Sequence, residues 1–154
     1  MTSRIGAVLC LAMAGWLVSC GSPAVEGGGP AVNDITTEEV RASGAGGCGM
    51  TLRRVEGSGS GQFVFFHGIA PDSGRMRLDG LMLRLWKEQG SGEPFFGQEP
   101  TQRFRTPEGR IEVEVEVSPG EKNNRGMIPI KSGTIRVRKD GRETVVSVTG
   151  GAGC

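Results

Sequence analysis

The chain has 154 residues, with 18 Lys and Arg against 17 Asp and Glu, one His and four Cys. This near-neutral balance argues against a nucleic-acid partner, which calls for a concentrated positive field. The length suits one domain with a leader segment, and a single His with dispersed Cys does not provide a ligand set for a metal ion.

Residues 1–19 have the composition of an export signal. Arg4 gives a positive start, residues 5–18 are almost unbroken apolar, and small or polar residues follow. A membrane-spanning helix needs about 20 apolar residues, so this stretch is short for a span. We therefore predict a cleaved signal peptide over residues 1–19, with an uncleaved anchor helix as the alternative.

The stretch Leu17-Val18-Ser19-Cys20 resembles the lipobox of bacterial lipoproteins, in which Leu, an aliphatic or small residue and a small residue precede Cys. The resemblance implies diacylglycerol on the Cys20 sulfur, cleavage before Cys20 and acylation of the new amino terminus. A thiolate is nucleophilic enough for this attachment, and several acyl chains anchor a protein durably. In lipoproteins of Gram-negative bacteria, an Asp directly after the lipidated Cys commonly signals retention in the inner membrane. Gly21 stands at that position here. The resemblance therefore implies transport to the outer membrane, facing the periplasm.

Residues 20–47 are rich in Gly, Pro, Ala and Ser, with little to bury. This composition predicts a flexible tether between the lipidated cysteine and the domain. Within it, Thr36 and Glu39 have the spacing of a capping box, so residues 36–42 could form a helical turn. A disordered linker is the alternative for the same residues.

The cysteines divide by position. Cys10 leaves with the signal and Cys20 takes the lipid, which leaves Cys48 and Cys154. In an exported protein such a pair is expected to form a disulfide, and both cysteines have flexible glycine-rich flanks. In the chain-entropy model, closing this loop of just over 100 residues is worth about 4–5 kcal/mol. The alternative is a free Cys154 that pairs between molecules.

Residues 48–154 show the two-residue period of β-strands. Residues 111–117 alternate Ile or Val with Glu, which predicts one buried and one exposed face. Asp140-Gly141 is a hairpin signal that places Val137 opposite Thr144, Ile135 opposite Val146 and Arg138 opposite Glu143. Asp79-Gly80 likewise pairs Leu78 with Leu81 and Met76 with Leu83. Further strands are predicted at residues 50–55, 62–67, 95–96, 102–105 and 127–130.

These segments are short and separated by turn sequences, with no convincing long helix. We predict an all-β fold: a small antiparallel β-sandwich or barrel of about seven to eight short strands. A signal peptide and a flexible linker precede it.

No pattern in the domain indicates catalysis. His67 alternates with Phe63 and Phe65, which favours a packed histidine over a base or a ligand. Residues 57–61, Gly-Ser-Gly-Ser-Gly, lack the ending of a phosphate loop, and the glutamates of residues 112–116 favour a solvated face opposite arginines. We predict no catalytic residue, metal site or cofactor, and no enzyme.

One hairpin face combines residue types that are enriched in binding surfaces. Arg75, Arg77, Met82, Arg84 and Trp86 lie opposite the face that carries Leu78, Leu81, Leu83 and Leu85. Arginine, tryptophan and methionine are common in interface cores. We predict binding by Arg75, Arg77, Arg84 and Trp86; the alternative is that the arginine stems only cover aromatic surface.

Together these features predict a membrane-anchored lipoprotein of the bacterial envelope, with a non-enzymatic binding or structural β domain. Its partners would be the membrane, through lipid on Cys20, and an envelope protein. The alternative is a periplasmic inhibitor of a lysozyme-like enzyme. Residues 90–96, with Ser91-Gly92 followed by Phe95, are similar to a segment of the membrane-bound inhibitors of c-type lysozyme, small β-barrel lipoproteins with a disulfide.

Overall fold

A computed structural model describes residues 28–154, which form a nearly all-β domain. The predicted signal peptide and the lipidation site at Cys20 lie outside the described residues. The elements in chain order are β1 (Val32–Asn33), α1 (Thr37–Ala42), β2 (Gly49–Arg54), β3 (Phe65–Gly68), β4 (Gly74–Leu78), β5 (Leu81–Ser91), β6 (Thr101–Arg105), β7 (Ile111–Pro119), β8 (Ile128–Lys139) and β9 (Arg142–Gly153).

Eight of the strands form a closed antiparallel barrel. Each strand from β2 to β9 pairs with the next along the chain, and β9 pairs back with β2 over six residue pairs. The short β1 pairs with Arg77 and Leu78 of β4, beyond the position that pairs with the first residue of β3. The predicted all-β class is confirmed, and of the two predicted architectures the chain adopts the barrel, which leaves no free sheet edge among β2–β9.

The two predicted hairpins are confirmed in turn position and register. Asp79-Gly80 and Asp140-Gly141 form the tips, and all four residues have positive φ, as two-residue hairpins of this kind require. The pairs predicted from the sequence are present: Leu78↔Leu81, Met76↔Leu83, Val137↔Thr144, Ile135↔Val146 and Arg138↔Glu143.

Strand alternation fills the barrel. On β7, Ile111, Val113, Val115 and Val117 are all at most 9% exposed, as their spacing predicts. They pack with inward side chains from each of the seven remaining barrel strands, including Leu52, Phe65, Met76, Leu85, Phe104, Ile135 and Val148. Fully burying one side chain of this kind stabilises the fold by about 1.5–3 kcal/mol, so this cluster is the main source of stability.

Two strand predictions differ from the structure. Residues 127–130 are not a separate strand, because β8 runs without interruption from Ile128 to Lys139 through a bulge between Ile130 and Gly133. Phe95 and Phe96 form no strand either. Phe95 makes one isolated bridge to Gln98, and positive φ at Phe96 and Gly97 turns the chain between them.

The predicted tether over residues 20–47 needs correction for its second half. Residues 30–45 pack against the outside of the barrel, where Ile35 and Val40 are buried against Phe63 and Phe66. Tether composition is misleading here because two apolar residues at the right positions are enough to cover an apolar patch that the outward-facing phenylalanines create.

Helix α1 within this segment begins with the predicted capping box. The Thr36 hydroxyl accepts from the Glu39 amide at 3.3 Å, and a Glu39 carboxylate oxygen accepts from the Thr36 amide at 2.8 Å. The reciprocal bonds satisfy two donors at the helix start. The helical interpretation of residues 36–42 is confirmed over the disordered one.

Cys48 and Cys154 form the predicted disulfide. Their neighbours Gly49 and Gly153 are directly paired at the end of the β2–β9 contact. The disulfide therefore lies at the seam where the first and last barrel strands close the barrel.

Candidate binding site

The predicted binding face lies on the outside of β4 and β5. Arg75 is directly opposite Arg84, and Arg77 is opposite Met82, so the strand register brings these side chains together. Leu78 and Leu85 point inward and are buried, as expected for the opposite face. Leu81 does not follow this pattern: it is 69% exposed, because it occupies the end of the hairpin tip.

Helix α1 and the residues around it cover part of this face. Arg77 forms an ion pair with Glu39 at 2.7 Å, and this hydrogen bond is the main reason that the pKa of the Glu39 carboxyl is lowered. Met82 packs against the Ile35 and Val40 cluster. The structure therefore assigns Arg77 to an internal contact and does not leave it on an open binding surface, because the chain's own segment occupies that position.

Arg75 is buried at 4% exposure beneath the end of this segment. Its Nε donates to the Ser43 hydroxyl at 2.8 Å and Nη2 donates to the Ser43 carbonyl at 3.0 Å. Nη1 donates to the carbonyls of Asp72 and Gly74 at 3.0 and 2.9 Å. All these acceptors are neutral oxygens, so the hydrogen bonds of the guanidinium are satisfied while its charge is not balanced.

Burying the Arg75 guanidinium destabilises its charged form. Burial lowers the pKa of the Arg75 guanidinium, the nearby charge of Arg84 lowers it further, and only Asp72 opposes the shift. Buried charges are usually paired because desolvation of an ion is expensive. Arg75 is thus a buried cation whose positive field extends to its surroundings.

Arg84 and Trp86 form the exposed part of the face. The Arg84 guanidinium lies 5.6 Å from the centroid of the Trp86 ring, within cation–π range, and it also forms an ion pair with Asp72. The hydrogen bond from Arg84 lowers the pKa of the Asp72 carboxyl. Trp86 is 47% exposed, so its ring remains accessible beside the arginine.

An open pocket of about 540 Å³ joins these arginines to the segment after α1. Its charged lining residues are Arg41, Arg75, Arg84 and Asp72. Three guanidinium groups and one carboxylate give the pocket an excess of two positive charges, in a chain whose overall formal charge is +1. We call it the cationic pocket.

The loop from Gly44 to Gly47 forms one wall of the cationic pocket. Gly44, Gly46 and Gly47 have φ angles of 79°, 137° and 85°, which side chains rarely adopt. A Cβ on Gly44 or Gly47 would meet nothing within 4 Å, so glycine is required there by the backbone conformation and not by lack of space. The amides of Gly46 and Gly47 find no acceptor among residues 28–154.

His67 lies inside the barrel at 1% exposure and does not reach the cationic pocket. Its Nδ1 is 2.7 Å from the side-chain oxygen Oε1 of Gln98, and the side-chain nitrogen Nε2 of Gln98 donates to the Gly68 backbone carbonyl at 3.1 Å. Gln98 therefore accepts from His67, which places the proton on Nδ1. Burial lowers the pKa of the imidazole despite this bond. The histidine is packed, as the sequence favours.

The other candidates from the sequence also have internal contacts. Glu112 pairs with Arg105 and Arg138, in keeping with a solvated face opposite arginines. Residues 90–96 cross the end of β5, and Phe95 is 9% exposed because it packs into the barrel core. Among the described residues no cluster of three or more His, Cys, Asp or Glu side chains is placed to hold a metal ion.

Of the residues that line the cationic pocket, sequence reasoning found Arg75 and Arg84 but missed Arg41, Asp72 and the glycine loop. Trp86, also found, contacts Arg84 from outside the pocket. Arg41 lies in a segment of tether composition, and Asp72 lies in a turn, so neither belongs to a periodic pattern. A glycine-rich loop directly after a capped helix was the available signal for this wall of the pocket.

Comparisons of the chain with protein-family models, with curated proteins and with solved structures find no match. The function is therefore argued from the residues and geometry of the site itself.

Proposed function

We propose that the chain is a lipid-anchored lipoprotein of the bacterial envelope whose barrel is a non-enzymatic binding domain. The observation that carries the proposal is the lipobox-like sequence ending at Cys20, in a chain whose later cysteines, Cys48 and Cys154, form a disulfide. Disulfides of this kind persist in oxidising compartments outside the cytosol, where lipoproteins reside. The two features support export independently.

The packing of residues 30–45 limits how far the domain could stand from its anchor. Pro30 is already buried against the domain, ten residues after Cys20. Ten residues span at most about 35 Å when fully extended. On this proposal the domain stays close to the membrane surface, and the longer tether expected from composition does not apply. Within residues 28–154 no helix has the length and hydrophobicity needed to cross a membrane.

The proposed binding role rests on the cationic pocket. Arg84 and Trp86 are accessible beside a buried, unbalanced Arg75, and cations of this kind favour a complementary ligand. The proposed non-enzymatic character rests on His67, the sole histidine, which is packed in the core and does not face the pocket.

Replacement of Cys20 tests the anchor. Cys20→Ala should abolish incorporation of labelled palmitate and leave an unprocessed precursor on a gel. Cys10→Ala is the matched control, since it removes a cysteine from the same segment and should label normally. Normal labelling of Cys20→Ala would refute the lipoprotein proposal. Membrane fractionation of the labelled protein then tests the proposed outer-membrane location.

Inhibition of a lysozyme-like enzyme is the second candidate. It is favoured by the combination of a small β-barrel, a disulfide and a Ser91-Gly92 pair at one end of the barrel. The burial of Phe95 opposes it, because an inhibitory loop must present its side chains to the enzyme. A lysis assay with c-type lysozyme and the purified protein separates the two: we expect no inhibition, and stoichiometric inhibition would establish the second candidate.

A further inference from the structure

We infer that the cationic pocket binds a phosphate-class oxyanion, meaning inorganic phosphate or a phosphate monoester or diester, either free in solution or in a lipid headgroup. The inference rests on the proposed binding role and names the ligand chemistry of that site. It does not depend on the lipid anchor, so the two can fail separately.

Charge is the first argument. Arg41 and Arg75 form no ion pair within residues 28–154, and the buried Arg75 donates its hydrogen bonds only to neutral oxygens. Asp72 is the one acidic residue that lines the pocket, and it is engaged by Arg84. An anion entering the pocket would balance charge that the folded chain leaves unbalanced.

Geometry is the second argument. Positive charge approaches the pocket from three separate parts of the fold: Arg41 from the end of α1, Arg84 from β5 and Arg75 from β4. The N–H groups of Arg75 already donate within the chain, so Arg75 contributes its charge, while Arg41 and Arg84 are the side chains that donate to the ligand. A carboxylate offers two oxygens in one plane, whereas the oxygens of a phosphate group are arranged tetrahedrally, with three of them free in a monoester that carries up to two negative charges and two free in a singly charged diester. The spread of donors therefore suits phosphate better than carboxylate.

The glycine loop is the third argument. Gly46 and Gly47 line the same pocket, and their amide N–H groups find no acceptor among residues 28–154. Backbone N–H groups that have no internal acceptor can donate to an anion. Main-chain donors thus complement the guanidinium groups at one opening.

Isothermal titration of the purified full chain, held in nonionic detergent, with inorganic phosphate tests the inference. We expect saturable binding. A second arm repeats the titration in micelles doped with phosphatidylglycerol, and in micelles doped with phosphatidylcholine. Both lipids carry a phosphodiester, and only phosphatidylglycerol has a net negative headgroup. Suppression of phosphate binding by phosphatidylglycerol, with or without suppression by phosphatidylcholine, identifies a lipid headgroup as a ligand; suppression by neither lipid identifies free phosphate or a soluble phosphate ester.

Substitutions give the test its specificity. Arg41→Gln and Arg84→Gln should each weaken phosphate binding by about ten-fold, the effect expected when one charge-assisted hydrogen bond is lost. Arg142→Gln is the matched control, because Arg142 is an exposed arginine at the start of β9 and lies outside the pocket. It removes the same charge and should leave the affinity unchanged.

Asp72→Asn should increase the affinity for phosphate, opposite to the effect of the arginine substitutions. It removes the pocket's one carboxylate and releases Arg84, so phosphate should bind several-fold more tightly. Asp140→Asn, in the β8–β9 turn, is its control, because asparagine tolerates the positive φ of that position.

Three results would overturn the inference. They are the absence of saturable binding of inorganic phosphate, equal weakening by Arg142→Gln and Arg41→Gln, and unchanged or weaker binding in Asp72→Asn. Palmitate labelling at Cys20 is a separate readout, so a failure of the phosphate titration leaves the proposed anchor standing.

Discussion

Two outer faces of the same barrel treat their charges differently. The ion-pair face consists of the outward side chains of β6–β9, where arginines and glutamates alternate from strand to strand: Arg103, Arg105, Glu112, Glu114, Arg136, Arg138 and Glu143. The covered face consists of the outward side chains of β3–β5 that residues 30–45 overlie, together with the cationic pocket at its margin.

On the ion-pair face, strand register places opposite charges next to one another. Arg138, for example, donates to both Glu112 and Glu143 at 2.9 Å, and the bond to Glu143 is the main reason that its pKa is raised. On the covered face, Arg75 and Arg84 are opposite each other, so register brings together like charges. Cross-strand like charges are unfavourable by themselves. The comparison shows that neighbouring strands balance charge on the ion-pair face and leave it unbalanced at Arg75, which is the basis of the proposed binding site.

Breaking the seam between the two faces should have the largest effect. Cys154→Ser removes the disulfide that closes the barrel beside the Gly49↔Gly153 pair. We expect the free energy of unfolding to fall by about 3–4 kcal/mol, somewhat below the ideal value for a loop of this length. Urea unfolding checks this, and thiol counting on the unreduced protein should find neither Cys48 nor Cys154 free. Stability equal to that of the wild type would show that strand pairing alone holds the seam.

Truncating Ile35, which residues 30–45 bury against the barrel, should have the second largest effect on stability. Ile35→Ala should lower the free energy of unfolding by about 2 kcal/mol, at the low end for a buried isoleucine because this small cluster lies near the surface and can relax. Val145→Ala, half exposed on the outside of β9, is the control and should change stability by less than about 0.5 kcal/mol. Equal effects would mean that residues 30–45 contribute no real packing.

Lowering the pH should reduce the free energy of unfolding through His67, which is buried inside the barrel. The pKa of His67 is lowered by burial, so below its ordinary value of about 6.5 the unfolded chain binds a proton that the folded chain does not. Stability should therefore be complete above that pH and decrease as the pH falls toward the lowered value. Of its charged neighbours, Lys87 reinforces the lowering and Glu99 opposes it.

His67→Gln provides the control for this effect, because glutamine can still donate to Gln98 and does not titrate. Urea unfolding at pH 7.5 and at pH 5.5 should show a smaller difference for His67→Gln than for the wild type. An unchanged difference would assign the acid sensitivity to other groups.

The smallest effect is expected on the ion-pair face. Arg138→Gln removes a side chain that contacts Glu112, Glu114 and Glu143, but these pairs are solvent-exposed and screened. We expect a small decrease in thermal stability that disappears in high salt. A large decrease that persists in salt would show that this face, like the covered one, contributes to the fold through more than surface ion pairs.

The sequence predicts the barrel wall well where alternation and turn chemistry agree. Alternation over residues 111–117 determines which side chains face inward, because one face must be buried. Strand register is determined locally by the turns at Asp79-Gly80 and Asp140-Gly141. Barrel closure could not be distinguished from a sandwich, since no local pattern pairs β2 with β9, about a hundred residues apart. The predicted disulfide between Cys48 and Cys154 was the one signal that these two strands meet.

The site is predictable only in part for a related reason. Arg75, Arg84 and Trp86 share a strand pair, so their proximity follows from a single hairpin. Arg41 joins them because Ile35 and Val40 dock on Phe63 and Phe66, a contact between a tether-like segment and an apolar patch. No local period encodes such a contact, and Arg75 therefore reads as an exposed residue in the sequence although it is buried in the fold.

The pairing of β2 with β9 also sets the timing of folding. Local hairpins such as residues 134–148 can form as soon as their own residues are available, but the wall cannot close until residue 153 is in place. Such dependence on distant contacts makes folding slow compared with a helical domain of the same size. If the chain is exported as proposed, the barrel can therefore close, and Cys48 can reach Cys154, only after β9 has crossed the membrane.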